Sequence, residues 1–136
     1  MNALVDCQRC VGELCAMKYL AVVLFAALTA CSSPTGSTCP ADNPPTYASF
    51  GQQFMQTYCL DCHSMNSTNR HGAPKDQNYD TEAQIKAHAD EIDAEAAAGP
   101  DATNTDMPRL DGMNHMAPSV DERKLLGQYL ACLNAQ

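Results

Sequence analysis

Cys59-Leu60-Asp61-Cys62-His63 is the stretch on which the reading of this chain turns. Two thiols three positions apart lie on one turn of a helix, and an imidazole follows at once. That spacing is the attachment signature of c-type haem. Cys59 and Cys62 would each form a thioether to a haem vinyl group, and His63 would ligate the iron from the proximal side. A bare C-x-x-C is also open to structural zinc or to a dithiol redox pair. Zinc needs four ligands, and the other C-x-x-C, Cys7-Gln8-Arg9-Cys10, lies far upstream. A redox pair opens a helix after a strand, and no strand pattern precedes Cys59.

The N-terminal sequence bears on compartment. Lys18-Tyr19 leads into the apolar run Leu20-Ala21-Val22-Val23-Leu24-Phe25-Ala26-Ala27-Leu28, which ends in Thr29-Ala30-Cys31. One positive charge, a short apolar run and small residues at a cleavage point predict a secretory signal peptide. A membrane-spanning helix needs about 20 apolar residues, more than this run contains. Leu28-Thr29-Ala30-Cys31 resembles the lipobox of bacterial lipoproteins, which implies acylation of Cys31 and a mature chain that begins there. No aspartate follows Cys31, and by analogy with lipoprotein sorting this points to the periplasmic side of an outer membrane. Residues 1–16 precede a complete signal that begins at Met17-Lys18, so Met17 is the expected start. The expected organisation is an extension and signal over 1–30, a lipidated flexible tether over 31–45, rich in Ser, Thr, Pro and Gly, and a folded domain over 46–136.

The eight cysteines then divide by role. Cys7, Cys10 and Cys15 precede the signal, Cys31 takes lipid, and Cys59 and Cys62 take haem. Cys39 and Cys132 remain, and an even remainder in an oxidising compartment predicts a disulfide, with two separate thiols as the alternative. The chain has no tryptophan and three phenylalanines, one of them (Phe25) in the signal. So sparse a core calls for added apolar surface, which a buried haem would supply.

Helical patterns dominate, and the fold class expected is all-α. Residues 47–61 carry Phe50, Phe54, Met55, Tyr58 and Leu60 near helical spacing and run directly into the cysteines. Residues 63–80 read as loop. Thr81 caps an alanine-rich helix over 82–98 with an apolar stripe of Ile85, Ala89 and Ile92, closed by Gly99-Pro100. Ser119-Val120-Asp121-Glu122 is a capping box, followed by a helix through Leu125, Leu126, Tyr129, Leu130 and Leu133.

A helix ending in C-x-x-C-H, a loop, and a last helix bearing Leu126-Gly127-Gln128-Tyr129-Leu130 together resemble a single-haem class I cytochrome c. The resemblance covers residues 47–132 and implies three to four helices around one covalent haem c. It implies a close crossing of the first and last helices, with Gly51 making room for Tyr129. The aromatic usual four residues before the first cysteine is displaced: Met55 stands there, and Phe54 one residue earlier. It also implies that a proline carbonyl, here Pro74 of Gly72-Ala73-Pro74, accepts from His63. A methionine from the loop before the last helix would supply the distal ligand. Met107, followed by Pro108, fits best; Met116, Met113 and His115 are the alternatives. Arg70 and Arg109 are candidates for the haem propionates, and Tyr79 for packing on the haem. His71 and His88 read as solvated surface histidines.

An iron with two axial ligands has no open position, so the expected function is one-electron transfer, and no enzymatic role is favoured. Eight Lys and Arg stand against sixteen Asp and Glu, a net charge of −8. With much of the acid between Asp90 and Asp111, this balance favours basic redox partners and disfavours nucleic acid. A haem sensor or small catalyst with an open distal site is the alternative, as is a haem subunit of a larger respiratory complex.

Overall fold

The computed structural model describes residues 33–110 and 116–136. The signal, Cys31, Met113 and His115 lie outside the described residues. Within them the chain is helical, with no strand beyond one isolated bridge between Ala98 and Thr103. A π-helical turn at Tyr47–Gly51 leads into α1 (Gln52–Tyr58) and α2 (Leu60–His63). After a long loop come α3 (Glu82–Ala87) and α4 (Ala89–Ala96), and α5 (Val120–Asn134) closes the chain.

Three capping boxes start these elements: Thr46 with Ser49, Thr81 with Gln84, and Ser119 with Glu122. Each satisfies two N–H groups that a helix start leaves unbonded. The helices expected over 47–61 and 82–98 are both broken. Cys59 leaves helical geometry (φ −121°, ψ −40°), and its carbonyl then accepts from both Cys62 and His63, at 3.2 and 2.8 Å. His88 breaks the second (φ −119°, ψ 18°), its N–H closing a tight turn on the Ile85 carbonyl at 3.1 Å. Neither residue is a helix breaker by propensity, so these breaks come from packing.

The core joins Phe54 and Met55 of α1, Ile85 of α3, Ala89 and Ile92 of α4, and Leu126, Tyr129, Leu130 and Leu133 of α5. The α5 residues recur at helical spacing, so one stripe of that helix is apolar and buried. Full burial of each leucine stabilises by about 1.5–3 kcal/mol. The tightest contact lies where the π-turn meets α5. A Cβ on Gly51 would stand 2.5 Å from Cζ of Tyr129, so only glycine allows the ring to lie there. Phe50 meets Tyr129 edge-on at 6.2 Å, and Phe54 and Met55 are both buried beside it.

Residues 33–45 differ from the flexible tether that their composition suggests. Thr35 is fully buried; its N–H donates to Asp93 Oδ2 at 2.8 Å and its hydroxyl to Asp93 Oδ1 at 2.9 Å. Its carbonyl accepts from the Asp101 N–H, and the Ser37 hydroxyl donates to the Ala98 carbonyl. Cys39 is joined to Cys132 of α5 by a disulfide. The segment therefore belongs to the folded domain, because side-chain partners far along the chain satisfy its polar groups. Burial raises the Asp93 carboxyl above its ordinary value, and the Thr35 hydrogen bonds oppose that rise.

Two expected outcomes follow from this packing. Gly51→Ala lowers unfolding free energy by about 1–3 kcal/mol through overpacking, and Gly51→Ala/Tyr129→Leu costs less than the sum of the single changes. Denaturant titration of the four proteins checks it; strict additivity would contradict the contact. Cys39→Ser/Cys132→Ser removes a cross-link spanning 93 residues. That double change lowers stability by about 2–5 kcal/mol, read from the same titration.

Candidate functional site

The break at Cys59 turns α2 so that Cys59, Cys62 and His63 line one cavity of about 380 Å³. That volume falls in the range of small-molecule and cofactor pockets. Phe54 and Tyr58 of α1 and Ile92 and Ala96 of α4 supply apolar wall, and Asp61, Arg70, Glu91, Glu95 and Arg109 bring charge to its lining. Cys59 and Cys62 are free thiols. Burial and the neighbouring Cys62 push the Cys59 thiol up to about 12; burial and Asp61 raise Cys62 as well. These directions are opposite to that of a reactive dithiol pair.

His63 is 7% exposed. Its Nδ1 lies 3.1 Å from the Gln77 carbonyl. A carbonyl only accepts, so Nδ1 carries the proton and Nε2 keeps the lone pair that a metal would need. Burial lowers the imidazole's pKa, the Gln77 carbonyl opposes that, and the Arg70 charge adds to the lowering. Tyr79 stacks on the ring, with centroids 4.5 Å apart and planes at 11°, and its N–H donates to the His63 carbonyl at 2.8 Å.

The partner of His63 is therefore Gln77 and not Pro74. Pro74 lines the cavity, but its carbonyl accepts from Arg70 Nη2 at 2.6 Å. The chain turns at His71 and Gly72, both with positive φ (48° and 90°), and this directs the Pro74 carbonyl to the arginine. Arg70 holds the whole loop. Nη1 donates to the Ser64 carbonyl and to Asn78 Oδ1, Nη2 also donates to the Gln77 carbonyl at 2.8 Å, and Nε donates to the Ala73 carbonyl. All five guanidinium N–H groups are thereby engaged within the loop.

Of the distal candidates, Met107 lines the cavity and is half-buried. Its N–H donates to the Glu95 carbonyl at 2.9 Å, and its carbonyl accepts from Arg123 Nη1 at 2.8 Å. Met116 is 76% exposed and does not line the cavity. Arg109 is exposed and lines the cavity next to Pro108. His71 lines it too, and His88 Nδ1 sits 3.2 Å from Glu91 on α4.

Sequence reasoning did not foresee Arg123 or Gln77. Arg123 is 3% exposed and donates from Nη1 to the carbonyls of Ala96, Asn104 and Met107. The signal for it was present: Arg123 falls on the same helical stripe as Leu126, Leu130 and Leu133, where a cation must find buried acceptors. The Gln77 role had none, because any residue offers a carbonyl. Tyr58 and Glu122 were likewise unforeseen as a pair; the Tyr58 hydroxyl donates to Glu122 Oε1 at 2.9 Å and so ties α1 to the start of α5.

Among the described residues, no group of three or more His, Cys, Asp and Glu side chains is placed to hold a metal ion, and no helix is long and apolar enough to cross a membrane. The chain matches no protein-family model, no curated protein and no solved structure.

Glu122 yields a pH-dependent expectation. The Ser119 N–H and hydroxyl, then the Tyr58 hydroxyl, hold its carboxyl below the ordinary value of 4.5. A lowered folded-state pKa adds stability above the unfolded value, and that stability is lost as pH falls through the folded one. Glu122→Ala should cost about 1–2 kcal/mol at neutral pH, from the lost cap and the lost Tyr58 bond. The difference from wild type should shrink below pH 4.5, which denaturant titrations across that range measure.

Proposed function

We propose that this chain is a class I-type monohaem cytochrome c, exported as a lipoprotein through Cys31 and carrying single electrons between periplasmic partners. One observation carries the reading: Cys59, Cys62, His63 and Met107 line a single, largely apolar cavity, with His63 Nδ1 bonded to a main-chain carbonyl. Both thiols, the imidazole and a thioether are the donors that covalent haem attachment and His/Met ligation require. The apolar wall from α1 and α4 suits a flat hydrophobic group. Bound there, haem c would supply exchange of one electron between ferric and ferrous iron.

The chain's own residues have separable tasks in this reading. Cys59 and Cys62 fix the group to α2, and His63, oriented by the Gln77 carbonyl and stacked on Tyr79, presents Nε2. Met107 is held by its backbone at both ends, through Glu95 and Arg123, so its side chain is supplied from a pinned loop. Pro74, Tyr79 and Arg109 enclose the cavity. The exposed carboxylates Glu91 and Glu95 at the cavity suit a basic redox partner.

Expression with the haem-attachment machinery tests the proposal. The wild type should retain haem through denaturing electrophoresis and show a sulfur-to-iron charge-transfer band in its ferric spectrum. Met107→Ala should lose that band and bind carbon monoxide at neutral pH, whereas Met116→Ala should do neither. Retention of the band in Met107→Ala would move the ligand elsewhere. Carbon monoxide binding by the wild type would point instead to a haem sensor or small catalyst.

A further inference from the structure

The carbonyl of Gln77 receives two donors at once: His63 Nδ1 at 3.1 Å and Arg70 Nη2 at 2.8 Å. Both of its lone pairs are therefore engaged. The Gln77 side chain also donates to Glu91 Oε1, which ties the same residue to α4. Arg70 is held by four further bonds to Ser64, Ala73, Pro74 and Asn78, so its position is set by the loop as a whole.

A carbonyl that already accepts from a guanidinium has less electron density for a second donor. The hydrogen bond from His63 Nδ1 is weakened accordingly, and the imidazole keeps less imidazolate character. A fixed positive charge near the site also disfavours the more positive oxidation state of a bound iron. Both effects act in one direction. We infer that Arg70 is a positioning residue that, through the shared Gln77 carbonyl, weakens the donor strength of His63 and raises the reduction potential of the centre. This inference rests on the cytochrome reading proposed above.

The test compares wild type, Arg70→Lys, Arg70→Gln and Asn78→Ala, each expressed with the attachment machinery. Midpoint potentials come from redox titration, and the His63 Nδ1 proton resonance is read in the ferrous form. Arg70→Gln should lower the potential and shift that proton downfield, as its hydrogen bond to Gln77 strengthens. Arg70→Lys keeps a charge but loses the fork, and should fall between wild type and Arg70→Gln. Asn78→Ala removes one loop bond of Arg70 without touching the Gln77 carbonyl, and should leave the potential unchanged. Equal potentials in loaded wild type and Arg70→Gln overturn the inference while the cytochrome reading stands. Failure of both Arg70 variants to load haem, with Asn78→Ala loading normally, assigns Arg70 to folding alone and also overturns it. Wild type without covalent haem overturns the cytochrome reading itself, and this inference with it.

Discussion

The close approach of Gly51 to the ring of Tyr129 is the constraint on which the other parts depend. A side chain at position 51 would overlap the end of the buried Tyr129 ring, so the ring or the π-turn would have to shift. Interiors are packed densely enough that a gap at one crossing spreads to the next contact. The Tyr58–Glu122 bond and the Phe50–Tyr129 contact hold the same crossing from either side.

A second constraint comes from the long described stretches outside helices, residues 64–80 and 97–110. Buried backbone carbonyls in such stretches still need donors. Two arginines supply them. Arg70 gathers the carbonyls of Ser64, Ala73, Pro74 and Gln77, and Arg123 those of Ala96, Asn104 and Met107. Burying the Arg123 cation would be costly if it stood alone, and here three carbonyl acceptors offset the cost. The His63 and Met107 sides of the cavity are thus organised by the same physical device.

Legibility in the sequence followed the range of each interaction. The caps at Thr81 and Ser119, the apolar stripe of α5 and the C-x-x-C-H turn depend on residues within a few positions of one another, and these could be read directly. The identity of the His63 acceptor could not, because it depends on how a loop turns at His71 and Gly72 rather than on which residue is proline. The breaks at Cys59 and His88 were equally hidden, since neither residue is a helix breaker by propensity. Residues 33–45 have the composition of a tether, yet Thr35 and Ser37 are held by Asp93 and Ala98 far along the chain.

By itself the sequence determined the helical class and the pairing of two thiols with an imidazole on one turn. These are matters of local spacing and residue chemistry. Only the tertiary structure decided that Met107 lines the cavity while Met116 faces solvent, and that Arg70 and His63 meet at one carbonyl. It also decided that residues 33–45 belong to the fold. Each of these depends on contacts between residues distant in sequence, which local spacing does not encode.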